Sequence, residues 1–202
     1  MGVNLQKGQK VDLTKGNTGL SKLLVGLGWD QVTQSNKGFL AGLLGGGKAP
    51  EIDCDASVFM LNEAGKFTDK KNLVYFGNLA TADGSIKHMG DNLTGEGDGD
   101  DEEIVVDLQK IPADIHHLIF VVNIYDARKR GQHFGMIENA FIRLVDMRDN
   151  QELMKFNLSE GYNGKTAMIA GEIYRHQGEW KFSAIGEATT DGSLGEMAKR
   201  YY

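Results

Sequence analysis

The amino-acid sequence predicts an all-β fold, a β-sandwich of two mainly antiparallel sheets with a few short helices, one of them at the C-terminus. Three observations carry that expectation. Short apolar segments alternate with a period of two, as where Leu23, Val25, Leu27 and Trp29 interleave with Leu24, Gly26 and Gly28. Glycine is abundant at 27 residues and proline occurs only at Pro50 and Pro112, the usage of many short strands joined by tight turns. At 202 residues, with 41% apolar and 25% charged side chains, the chain is long enough for one domain with one core, residues 1–202.

The elements follow in order. Val11–Leu13 is a short strand between Lys-Gly turns, and Leu23–Trp29 is the alternating strand just described. Residues 31–50 are expected to form a flexible insertion carrying the apolar cluster Phe39, Leu40, Leu43 and Leu44. Ile52–Leu61 is a strand with Ile52, Cys54, Ala56, Val58 and Met60 on one face and Asp53, Asp55 and Ser57 on the other. Leu73–Phe76 is a further strand, Ser85–His88 leads into an acidic loop, and Ile104–Leu108 leaves it. Pro112 opens a helical turn. Leu118–Tyr125 is apolar on both faces, the mark of a central strand. Ala140–Val145, Leu153–Leu158 and Ala167–Tyr174 continue the series, with a hairpin turning at His176–Gly178. Leu194, Met197, Ala198 and Tyr201 recur at helical spacing and close the chain with an amphipathic helix.

Charge is the informative part of the composition. Net charge is −6, yet residues 91–103 alone hold seven acids and no Lys or Arg. Removing those seven from 28 leaves 21 acids against 22 bases, so the rest of the chain is close to neutral. Such a loop excludes nucleic acid as its partner. The opening residues lack the plan of a secretion signal, and no apolar run reaches the roughly 18–20 residues needed to span a bilayer. A single cysteine, Cys54, fits a reducing compartment, so the expected location is the cytoplasm.

The loop reads GDNLTGEGDGDDEE, Gly90 to Glu103. Calcium takes six to eight hard oxygens from carboxylates, side-chain amides and main-chain carbonyls, and this stretch supplies all three. Its glycines let the backbone curl until those oxygens converge. Without a cation the curl crowds like charges, each close pair costing about 1 kcal/mol at 4 Å even in bulk water. Asp53 and Asp55 point the same way from their strand and are the best supplementary ligands. Nine carboxylates exceed the needs of one ion, and two calcium ions are expected. The helix–loop–helix calcium pattern does not fit: counted from Asp91, Leu93, Gly95 and Glu96 fall where acid, acid and glycine belong. A phosphate-cradling loop is opposed by Glu96, Asp98 and Asp100. Magnesium, which keeps its waters, and a solvated acidic turn without an ion stay open as alternatives.

Other residues carry weaker signals. The five histidines show no ligand spacing, Cys54 is read as a core thiol, and Asp30 and Asp126 are lesser candidates at strand ends. The basic run Arg128–Arg130 is read as a solvated turn, its sharper alternative being a contact with an anion or an acidic partner.

The stretch SIKHMGDNLTGEGDGDDEEIVVDLQKIP resembles the signature of the TerD family of tellurium-resistance and chemical-stress proteins. The resemblance extends to LQKGQKVDLTK, VGLGWD, IDCDASVFML, FGMIENAFIRLVD, KTAMIAGEIYRHQGEWKFSAIGE and the closing helix. It implies a calcium-binding β-sandwich without known catalysis, acting in bacterial resistance to tellurite and other stresses. The family's metal motif maps onto Asp91, Asn92, Leu93, Thr94, Gly95, Glu96, Asp98, Asp100, Asp101, Glu102 and Glu103, and its paired strand acids map onto Asp53 and Asp55. The expected partners are calcium and other proteins of the tellurium-resistance system, at the inner face of the membrane. The competing functions are a metal-dependent phosphoryl hydrolase and an oligomeric scaffold with a structural calcium site.

Overall fold

A computed structural model describes residues 2–32, 52–90, 99–158 and 161–202. The expected insertion at 31–50 lies outside these residues from position 33 onward. The described chain forms twelve strands: β1 (Val3–Leu5), β2 (Lys10–Asp12), β3 (Lys22–Gln31), β4 (Cys54–Leu61), β5 (Leu73–Val74), β6 (Ile86–His88), β7 (Glu102–Asp107), β8 (His117–Ile124), β9 (Ile137–Asp146), β10 (Gln151–Asn157), β11 (Ala167–His176) and β12 (Glu179–Thr189). They make two six-stranded sheets, ordered β1-β10-β9-β3-β7-β6 and β2-β12-β11-β8-β4-β5. All pairings are antiparallel except β1 with β10. Strand β1 was not expected from the sequence, because three residues are too few to establish a period; it is held by the ladder to β10.

The alternation read from the sequence is the alternation of side chains into the principal core. From the first sheet Leu23, Val25, Leu27 and Trp29 point inward, and from the second Cys54, Ala56, Val58 and Met60 meet them in the principal core. Each large side chain buried there contributes about 1.5–3 kcal/mol. The doubly apolar β8 has two different partners. Leu118, Phe120, Val122 and Ile124 enter the principal core, while Ile119 and Val121 face outward into a second cluster with Phe59, Leu61, Ile169, Met197 and Ala198. That second cluster lies under helix α2 (Leu194–Ala198). Ser193 caps α2 by accepting from the Glu196 amide at 3.2 Å, and the Glu196 carboxylate reaches back to the Gly192 amide at 2.9 Å. A shorter helix, α1 (Ala127–Arg130), is tied to α2 by the Arg128–Glu196 ion pair at 2.8 Å.

Most strands begin or end a residue or more away from the sequence expectation, and the differences in two of them bear on the site. The strand expected from Ile52 starts at Cys54. The strand expected over Leu73–Phe76 ends at Val74, because the chain turns back through reciprocal Tyr75–Asn78 main-chain hydrogen bonds of 3.1 and 2.8 Å. Strand β5 therefore covers only Val58 and Phe59, and among the described residues the Cys54–Ser57 half of β4 is an open edge. That edge and the ends of β6 and β7 frame the site.

A candidate metal centre at one end of the sandwich

Asp91, Asn92, Leu93, Thr94, Gly95, Glu96 and Asp98 lie outside the described residues. The two ends of their loop are described. Gly90 enters it at φ 121° and Gly99 leaves it at φ 140°, conformations that side-chain-bearing residues seldom adopt.

Beyond Gly99 the successive acids diverge. Asp100 lies on the outer face of the first sheet, its carboxylate held by Arg143 through Nε–H to Oδ1 at 2.7 Å and Nη2–H to Oδ2 at 3.0 Å. Asp101 joins the edge of β3: its amide donates to the Leu27 carbonyl at 2.8 Å and its Oδ2 accepts from the Trp29 amide at 2.7 Å. Glu102 turns inward and meets His88 Nε2 at 2.8 Å, both side chains being 1% exposed. Glu103, the register partner of Gly26, is half-buried. Burial, helped by the nearby carboxylates of Asp30 and Asp100, pushes the Asp101 carboxyl above the usual range despite its bond to Trp29. Consecutive strand residues face opposite ways, so Asp100 to Glu103 cannot all converge on one ion.

His88 joins the two ends of the loop. Its Nδ1 accepts from the Gly90 amide at 3.2 Å, so the ring hydrogen sits on Nε2 between the Glu102 carboxylate and the Ala56 carbonyl, the latter at 3.2 Å. The sequence showed no ligand spacing around His88 and did not indicate this bridge between the sheets.

On the second sheet, Asp53 precedes β4 and lies 3.5 Å from Arg130, whose guanidinium also covers the Tyr125 ring at 5.1 Å. Asp55 is 4% exposed and directly opposite Asn123 of β8. Asp55, Ser57 and Asn123 all project from the outer face, where Phe59 and Val121 further along the same strands go under α2. Ser57 (0% exposed) and Asn123 (7%) each present an oxygen, Oγ and Oδ1, that is buried and without a hydrogen-bond partner among the described residues. Such groups are rare in folded proteins and call for an explanation. Hard, uncharged oxygens beside an Asp-x-Asp pair are the donor set a calcium ion takes, and in that respect the residues fit the ion.

The two halves share one end of the molecule. Burial raises the Cys54 thiol well above its ordinary range, and the carboxylates of Asp55, Asp53, Glu102 and Asp101 reinforce the shift. Cys54 is a core thiol, as the sequence indicated. Among the described residues no three His, Cys, Asp or Glu side chains stand close enough together to hold a metal ion. Arg128 and Arg130 of the basic run pair with Glu196 and Asp53. Ser57 was legible as the next outward residue after Asp55; Asn123 was legible as the one polar side chain in the run from Leu118 to Ile124. Arg143 could be found only through the strand order.

A model of the TerD domain matches residues 1–201. Stress response protein SCP2 of Bacillus subtilis (strain 168) is 59% identical over 201 residues, 100% of each chain. Tellurium resistance protein TerD of Serratia marcescens is 41% identical over 201 residues, 100% of this chain and 97% of that one. The crystal structure of a homologue of telluride resistance protein (TerD) from Streptomyces coelicolor A3(2) has the same fold, with a TM-score of 0.64 over 86% of this chain and 92% of that one, at 21% identity.

Proposed function

This chain belongs to the TerD domain family of stress and tellurium-resistance proteins, and from that premise we propose that it binds calcium and acts by holding partners and not by catalysis. The observation that carries the reading is the pair of buried oxygens beside Asp55, Ser57 Oγ and Asn123 Oδ1, that have no hydrogen-bond partner among the described residues. Asp53, Asp55, Ser57 and Asn123 would hold an ion from the second sheet. Asp91, Glu96 and Asp98, with Asp101 at the exit of the loop, would supply the remaining carboxylates, enough for two ions. A bound divalent cation supplies positive charge that offsets the crowded carboxylates.

The chain's own residues explain why holding is favoured over hydrolysis. Arg130 is engaged with Asp53 and Arg143 with Asp100, so these cations serve carboxylates and are not poised as a clamp for phosphate. A surface for protein partners adjoins the site. Phe76 and Tyr125 are 45% and 43% exposed, meet edge to face at 6.3 Å, and Tyr125 is stacked on the same Arg130 that pairs with Asp53. Phe, Tyr and Arg together are the composition of protein interfaces. Ordering of Asp53 by an ion would therefore be felt at that surface. Among the described residues no helix is long and apolar enough to cross a membrane. A cytoplasmic protein that meets other tellurium-resistance proteins at the inner face of the membrane suits these features.

The test is thermal. For one site at a calcium concentration about 100-fold above Kd, stabilisation is about 2.7 kcal/mol. In a domain of this size that raises Tm by roughly 5–11 °C. An unchanged Tm in excess calcium removes the mechanism, and metal-dependent turnover on a panel of phosphate esters removes the non-catalytic part alone.

A further inference from the structure

Asp100 differs from its neighbours in having a slot of its own. Both carboxylate oxygens are occupied by the planar fork of Arg143, at 2.7 and 3.0 Å, and the side chain is 1% exposed. The slot lies over Gly26, the residue directly opposite Arg143 in the β3–β9 ladder. A Cβ at Gly26 would fall on the Asp100 carboxylate, and one at Gly28 would meet the Gly99 carbonyl at 2.7 Å. Two bare positions on β3 thus let the exit arm of the loop lie flat on the sheet. On its other side Arg143 is 3.5 Å from Glu152 of β10, which helps keep the guanidinium on this face. A bidentate arginine–carboxylate pair is among the strongest and most directional polar contacts available. A calcium ion would have to share these two oxygens with the guanidinium that already holds them on the outer face of the sheet.

We infer that Asp100 and Arg143 are a positioning pair: Arg143 is a resident counter-ion that withdraws Asp100 from the ion site and pins the exit arm of the acidic loop to the first sheet. The inference rests on the reading of the loop as a cation site for its functional meaning, while the pinning itself is independent of any ion. With Asp100 fixed outward, Asp101 is delivered to the β3 edge, where its amide bonds to Leu27 and its carboxylate to the Trp29 amide. Arg143 therefore sets the place of Asp101, the next acid along the exit arm. The family motif places Asp100 among the ligands; this geometry removes it from that set.

The test has two arms, both on the whole chain. In chelator-treated protein, amide hydrogen exchange at Asp101 and Trp29 is followed by NMR. Asp100→Asn and Arg143→Met are each expected to speed exchange about tenfold, with the double variant no faster than either, as for partners in one contact. Lys155→Met, which removes a cation on the same face that sits 3.7 Å over the Phe141 ring, leaves the two amides unchanged. In the second arm calcium is titrated into the same proteins. The pair acting by position predicts that Asp100→Asn and Arg143→Met weaken calcium binding by a similar factor with the number of ions unchanged. Tighter binding in Arg143→Met, or loss of an ion in Asp100→Asn, would make Asp100 a ligand and Arg143 its competitor, and would overturn the inference. Unchanged amide exchange overturns it as well. Absence of calcium uptake by the unaltered protein refutes the proposed function, and the exchange arm then decides the pinning alone.

Discussion

Replacing Ser57 by alanine has opposite expected effects with and without calcium. The Ser57 hydroxyl is fully buried on the outer face of β4 and has no hydrogen-bond partner among the described residues. Keeping such a group out of water costs about 1–3 kcal/mol. Ser57→Ala removes the oxygen with little change of shape, so the metal-free protein should become more stable by about 1 kcal/mol, or roughly 2–4 °C in Tm. In the proposed function the same oxygen serves calcium as a ligand. If its loss weakens binding tenfold, the calcium-induced stabilisation falls by about 1.4 kcal/mol, which cancels the gain. Melting curves followed by circular dichroism, in chelator and in millimolar calcium, measure both quantities on one sample. The variant should melt higher than the unaltered protein in chelator and show a smaller rise on adding calcium. A variant that melts lower in chelator means the hydroxyl has a structural partner. A variant with an unchanged calcium increment means Ser57 is not a ligand. Either result refutes the reasoning.

Three further outcomes follow from the structure. Gly26→Ala places a methyl group on the Asp100 carboxylate and should destabilise the fold by about 1–3 kcal/mol in urea titration, whereas a variant as stable as the original would show the slot to be roomy. Ser193→Ala removes the cap of α2 and should cost about 1 kcal/mol in the same assay, with an unchanged midpoint counting against the clamp over the second cluster. Arg148, through hydrogen bonds of 2.9 and 3.0 Å to Asp146 Oδ1, holds the Asp146 carboxyl below the usual range. A depressed folded value means this stabilisation is present above the unfolded pKa of about 4 and disappears as pH falls through the lower folded value. The stability difference between the unaltered protein and Asp146→Asn should therefore be constant above about pH 4 and shrink in stronger acid; a difference that persists at low pH assigns the effect to packing.

Much of the fold was legible because the sandwich buries each sheet on a face set by strand periodicity. Leu23 to Trp29 and Cys54 to Met60 alternate in the sequence as they do in the core. The run from Leu118 to Ile124 declared its central position because α2 covers the face away from the principal core. What stayed hidden depends on non-local pairing. Three residues of β1 acquire meaning only beside β10, and the early end of β5 follows from the return of the chain at Tyr75–Asn78. The site divides the same way. Charge density and glycine spacing marked the loop, and Asp53 and Asp55 stood out as acids inside a strand. Yet the sequence treated Asp100, Asp101, Glu102 and Glu103 alike, and only the strand order separates an acid bound to Arg143, an acid in the ladder and an acid paired with His88. No local pattern links Arg143 or His88 to a loop that lies distant from one and next to the other in sequence.

Titration calorimetry on chelator-treated protein, with calcium and then with magnesium, reaches the central claim most directly. Two calcium ions per chain are expected to bind with measurable heat, and equimolar magnesium is expected not to displace them. Millimolar calcium that yields no binding heat, from protein that is folded throughout, would contradict it.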